Sequence, residues 1–221
     1  MTFRSLLAAA LLALTGCTSE LDNKTAATVA DAPTAKPAPA KPTATPATTP
    51  PPGPDAAASP AGAFLKLGAE SEVSWVGAKV TKDHAGGFKV LSGEATVAKG
   101  ALTSATVVMD LTSIFTDSEK LTGHLKKADF FDVGTFPTAT YSITAIKPNE
   151  GGKPTVVGTL DLHGVQKEVT FPADVTVNMT QVTIAAEFTL NRQDFGLTYP
   201  GKPDDLIRDE VLIKGKLVFA P

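Results

Sequence analysis

From Phe64 to the C-terminus the chain alternates apolar and polar residues with a period of two, and turn residues return about every ten positions. Successive side chains of a strand point to opposite faces, so this alternation specifies half-buried sheet. Eight strands are predicted: 73–82, 88–97, 105–111, 138–147, 156–163, 166–177, 182–191 and 209–219. The first two are expected to be joined by a turn over Asp83–Gly87. The sixth is the cleanest, with Val169, Phe171, Ala173, Val175 and Val177 on one face.

One segment breaks the rhythm. Over Asp117–Ala128, Leu121, Leu125 and Ala128 recur at helical spacing, with acids early and lysines late, an order that suits the helix dipole. The predicted class is therefore all-β with one short helix. Eight antiparallel strands form a sandwich or a closed barrel, and a meander with short loops favours the barrel, which leaves no open edge. A barrel of eight strands is either filled by side chains or holds one small ligand. Gly158, Ala173, Ala186 and Gly215 fall on the expected inward faces, which favours a cavity.

The front of the chain has another texture. Arg4 precedes an uncharged apolar run from Leu6 to Leu14. That run is too short to span a bilayer and reads as the apolar part of an export signal. It ends in Leu14-Thr15-Gly16-Cys17, which resembles the lipobox of bacterial lipoproteins. Residues 1–16 are thus expected to be a cleaved signal peptide, and Cys17, the chain's single cysteine, the lipidated residue. With Cys17 acylated (palmitate labelling would report it), no disulfide within the chain is available. Thr18 stands where an Asp would resemble an inner-membrane retention signal, which leans toward the outer membrane. The expected location is the cell envelope, anchored to a membrane and facing the periplasm.

Residues 17–62 are expected to be the lipidated cysteine and a disordered linker, because Ala32–Pro60 is almost entirely Ala, Pro and Thr and cannot bury enough surface to fold. As polyproline II, at about 3.1 Å per residue, that run would reach roughly 90 Å. It reads as a spacer holding the folded domain, residues 63–221, off the membrane. The net charge is −3, with no block of five or six basic residues, which argues against a nucleic-acid partner.

Several stretches, in order, resemble one family. Thr112-Ser113-Ile114 with Thr116, the run Leu121–Asp132 (LTGHLKKADFFD), and Phe136-Pro137 are similar to its conserved segments. So are Gly158–Val165 (GTLDLHGV), Asn191–Gly196 (NRQDFG) and Asp209-Glu210-Val211. Together they resemble the YceI-like family, bacterial polyisoprenoid-binding, lipocalin-like proteins, from about Val73 to Phe219. The resemblance implies an eight-stranded antiparallel barrel whose elongated interior takes a long isoprenoid chain, such as a polyprenyl lipid or a quinone tail.

The candidate ligand-binding residues are Trp75, Phe88, Phe130, Phe131, Phe136, Phe188, Arg192 and Asp194. The aromatic residues either fill the barrel or line a tail-binding cavity. Arg192 and Asp194, two apart, would share one face of a strand. They form either a polar clamp for a head group at the barrel mouth or a structural ion pair. His84, His124 and His163 lie 40 and 39 residues apart, which is no metal-binding spacing, and they read as turn or cap residues. No nucleophile elbow, metalloprotease helix or dinucleotide fingerprint occurs, so the chain does not read as an enzyme. An isoprenoid-type lipid aside, no cofactor is expected; the oligomeric state, a dimer included, is left open. The first reading is a lipid-anchored barrel that holds or carries an isoprenoid-type lipid. The alternative is an envelope structural or stress-response lipoprotein with a filled barrel. An enzyme acting on a lipid head group comes third.

Overall fold

The computed structural model describes residues 20–32 and 62–221; the signal segment, Cys17 and the Ala/Pro/Thr-rich run over 33–61 lie outside the described residues. Among the described residues the strands are β1 (Thr28–Asp31), β2 (Ala63–Leu67), β3 (Glu72–Lys79), β4 (Asp83–Phe88), β5 (Leu91–Ala98), β6 (Ala101–Asp110) and β7 (Ile114–Thr116). After α1 (Glu119–Leu125) come β8 (Thr138–Lys147), β9 (Thr155–Leu162), β10 (Val165–Val177), β11 (Val182–Asn191), β12 (Gly201–Lys202) and β13 (Asp205–Ala220).

The wall is an antiparallel meander closed on itself. From β2 it runs through β5, β6, β8, β9, β10 and β11 to β13, which pairs back onto β2 through Phe219 and Leu67. The shorter strands extend these staves. β3 pairs β4 (Ser74 with Gly87) in nearly the same register as β2 pairs β5 (Leu65 with Ala95), so β2/β3 and β4/β5 are two long, interrupted staves. β6/β7 is the third, broken by a 3-10 turn at Leu111–Ser113, where the Asp110 carboxylate accepts from Thr112 N–H at 2.8 Å. The result is the expected eight-stranded barrel with one short helix. The β9–β10 hairpin turns on two residues, His163 (φ 54°) and Gly164 (φ 75°), the left-handed pair that a tight twisted hairpin requires.

Several expectations are corrected. Asp83–Gly87 is strand, not turn. Its glycines serve close approach: a Cβ on Gly86 would lie 2.5 Å from the Trp75 ring, and one on Gly87 3.1 Å from the Phe115 ring. The chain reverses instead after Lys79, whose N–H bonds Lys82 C=O at 3.0 Å. The helix spans Glu119–Leu125, not 117–128; Lys126 then turns its ammonium onto Thr112 C=O at 2.7 Å.

The largest correction falls before the barrel. Residues 20–32, expected to belong to a disordered linker, are built into the wall. β10 and β11 pair directly only from Ala173–Ala186 to Val177–Val182. Beyond that the two strands separate, and the front of the chain fills the seam. β1 pairs antiparallel with β10 (Thr28 with Thr170, Asp31 with Lys167), while Thr189 of β11 bonds Thr25 and Ala27. Ala27 and Val29 face inward onto the main core. Upstream, Leu21 is buried on the outside of the barrel against Ala78 and Leu212. Ion pairs run along this strap: Lys214 with Glu20, Arg208 with Asp22 at 2.8 Å, Lys24 with Glu187 at 2.9 Å and Lys167 with Asp31 at 2.6 Å. Period-two reading could not see β1, because the gap between its neighbours, rather than its own four residues, places it. The spacer reading changes with it. The Ala/Pro/Thr-rich run joins β1 to β2, two strands of one barrel, and does not stand between Cys17 and the domain.

Candidate functional site

The interior divides along the barrel axis. At the end carrying the β10–β11 hairpin, Leu65, Val97, Ile143, Val156, Val182 and Phe219 are all buried and pack into one core. Gly158 belongs to that half: a Cβ there would lie 2.6 Å from the Tyr141 ring, so the glycine makes room for the phenol. Tyr141 donates its hydroxyl proton to Val169 C=O at 2.9 Å, and burial, aided by the Glu168 charge, pushes the phenol well above its ordinary pKa. Phe171 and Phe188 stack beside it with ring centroids 4.1 Å apart, and Tyr141 lies 5.6 Å from Phe171. These rings form the floor of what lies above.

Above the floor the barrel is hollow. A cavity of about 440 Å³ opens toward the end carrying the β3–β4 turn, α1 and the β12–β13 hairpin. Small-molecule sites occupy about 300–1,000 Å³. Val73, Val107, Met109, Leu160, Ala186 and Ile213 are among its apolar wall residues. Gly215 lies on the same wall, and a Cβ added there meets nothing within 4 Å. Above, Ile114, Leu125 and Phe130 are buried with Trp75, Phe88, Phe131 and Tyr199 packed against them, a cap over part of the opening.

Polar groups gather at the mouth. Lys79 is paired with Asp205, which also accepts from Thr81 Oγ1 at 2.8 Å; the lysine bond holds the Asp205 carboxyl below the usual range. His84 Nδ1 lies 2.8 Å from Asp117, and Lys202 completes the rim. His124 sits edge-on to Phe130 and Tyr199 and bonds Asp129 at 2.8 Å. One atom inside is unspent. Trp75 Nε1 is the buried side-chain polar atom with no partner among the described residues, in a side chain that lines the cavity. A buried indole N–H ordinarily finds an acceptor.

Of the residues singled out by sequence, Trp75, Phe88, Phe130, Phe131, Phe188 and Arg192 line the cavity. Phe136 does not: its ring packs on His163, 4.7 Å away, over Gly164 and outside the cavity lining. Asp194 is exposed and lies outside the lining. The clamp with Arg192 is not formed, because Arg192–Phe195 is a 3-10 turn and residues two apart then diverge. Arg192 is buried and donates to Leu197 C=O, to Arg208 C=O at 3.1 Å and to Asp209 at 2.9 Å. It pins the chain after β11 to the start of β13. The histidines are placed apart, His163 at the β9–β10 turn and the others at separate carboxylates. Sequence reasoning passed over Tyr141, Phe171, Tyr199 and the Lys79–Asp205 rim. Inward alternation marked Phe171; nothing local marked the rim, which joins positions 126 apart in the chain.

This geometry has known counterparts. Residues 67–219 match the YceI-like domain model, well over half of the 221-residue chain. The chain belongs to the YceI-like family. A UPF0312 protein of Pseudomonas putida (strain W619) is 30% identical over 138 residues, covering 59% of this chain and 72% of the relative. Burkholderia cenocepacia BcnA, a solved structure, superposes with a TM-score of 0.60 at 30% identity, covering 68% of this chain and 96% of BcnA. A polyisoprenoid-binding domain from Saccharophagus degradans shares the fold, with a TM-score of 0.57 at 20% identity over 72% of this chain and 99% of that domain. The match begins near the end of β2, so β1 and the strap lie outside it.

Proposed function

We propose that this YceI-like barrel holds a long isoprenoid-type lipid, a polyprenyl lipid or quinone tail, with the tail in the hollow half and the head group at the polar mouth. The hollow apolar half itself carries this reading. A filled barrel has no use for Gly215, whose missing side chain would meet only space. Burial supplies the affinity at about 0.8 kcal/mol per CH₂, so a long chain needs few specific bonds. Lys202, on the rim, offers a cation to an anionic head. The polyisoprenoid-binding Saccharophagus degradans domain has the same fold.

The Leu14–Cys17 lipobox further supports a protein acylated at Cys17 and held on an envelope membrane, the outer one by Thr18, facing the periplasm. The test of the binding role is a titration with a fluorescent polyprenyl phosphate, competed by the unlabelled lipid. Saturable binding that is lost in Ala186→Phe is expected. A folded barrel that takes up neither lipid would leave the structural envelope role.

A further inference from the structure

We propose that the barrel lies mouth-down on the membrane that holds Cys17, with Val80 and Leu206 of the rim in the bilayer interface. This rests on the acylation reading above. Three links of chain separate Cys17 from Glu20, the first residue of the strap, so at about 3.6 Å each they reach no more than about 11 Å. The strap is fixed beyond that point. Leu21 is buried against Ala78 and Leu212, and Asp22 is bonded to Arg208 at 2.8 Å, so the strap reaches the mouth-side ends of β3 and β13 at Ala78 and Arg208, while Glu20 is bonded to Lys214 farther along the outer wall. An acyl anchor on Cys17 therefore holds this face of the barrel close to lipid, not at the end of a long tether.

The rim is built for that contact. Val80, two residues from Ala78, is 74% exposed, and its N–H bonds the C=O of Leu206, itself 50% exposed, at 3.2 Å. Single exposed apolar residues are ordinary, but these two are hydrogen-bonded neighbours, and each adjoins a cavity-lining residue, Lys79 or Asp205. Lys82 and Lys202 are exposed on the same rim, beside Asp204, and suit anionic head groups. The occupant of this surface is thus a phospholipid bilayer. A tail then passes between bilayer and cavity without crossing water.

The test uses the full chain, extracted from membranes and returned to vesicles of phosphatidylethanolamine and phosphatidylglycerol. Intact mass first reads whether Cys17 is acylated; an unacylated Cys17 overturns the anchor and this docking together. With Cys17 acylated, an environment-sensitive dye is placed at Val80→Cys, at Leu206→Cys, or at Met179→Cys on the opposite end of the barrel. The rim dyes are expected to shift to the blue and to be quenched by nitroxide lipids, and the Met179→Cys dye to stay aqueous. Leu21→Asp should remove the rim signal while the protein remains in the membrane fraction. Aqueous rim dyes in acylated protein, or equal quenching at both ends, would overturn the docking and leave the anchor standing.

Discussion

Two glycines on inward faces of the same barrel face opposite circumstances. The position Gly158 leaves open is taken by the Tyr141 ring, and the position Gly215 leaves open is empty. Around the first the barrel is a protein core; around the second it is a container. The same residue type in the same alternating pattern thus serves packing in one half and capacity in the other. Only the cross-strand neighbour tells them apart, a bulky phenol in one case and open volume in the other.

Substitutions sharpen that contrast. The largest effect is expected for Phe219→Ala, at the filled end, where the ring is fully buried. Loss of a packed aromatic costs about 3–5 kcal/mol, read as a lower denaturant midpoint with an unchanged slope. Gly158→Ala should follow. Its Cβ would press on the phenol and on Ser142 C=O, both 2.6 Å away, and overpacking costs about 1–3 kcal/mol. Gly215→Leu should behave in the opposite way. The lipid-free barrel keeps its stability, while a side chain that excludes two methylenes of a tail removes about 1.6 kcal/mol, an affinity loss of about fifteenfold. A Gly215→Leu barrel that unfolds early and still binds the fluorescent polyprenyl phosphate normally would erase the distinction between the halves.

The smallest effect concerns the strap. Bonds from Lys167 and Lys24 lower the carboxyls of Asp31 and Glu187 below their ordinary values. A depressed carboxyl contributes its stability above the unfolded value and loses it as pH falls through the folded one. These pairs are at the surface and screened, so each is weak. Below about pH 4, hydrogen exchange at Thr28–Asp31 should therefore accelerate before that of β10 or β11. Exchange that rises equally in all three would mean that the strap is as firmly held as the wall.

Much of this was legible in the residues. β8 and β11 have the bounds that alternation gives them, Thr138–Lys147 and Val182–Asn191. Of the aromatic residues that cap and floor the cavity, Trp75, Phe88, Phe130, Phe131 and Phe188 were legible as large apolar residues in strands or beside the helix, whereas Tyr141, Phe171 and Tyr199 were not singled out. What stayed hidden depends on distant neighbours. Gly86 and Gly87 look like a turn until the Trp75 and Phe115 rings that need their space are known. Asp194 looks like a partner for Arg192 until a 3-10 turn separates them and Asp209 takes the place. β1 has too few residues to declare itself, and its position follows from a seam in a wall made by strands more than 130 residues later.

The central claim is that the hollow half holds one long isoprenoid-type chain. The direct measurement is a native mass spectrum of the protein purified from its own membranes without added lipid, followed by release of whatever is bound. One lipid per barrel is expected, with a mass that steps by isoprene units across homologues of the released chain, and at lower occupancy in Gly215→Leu prepared alongside. A barrel of bare protein mass that also refuses added polyprenyl phosphate would contradict the claim.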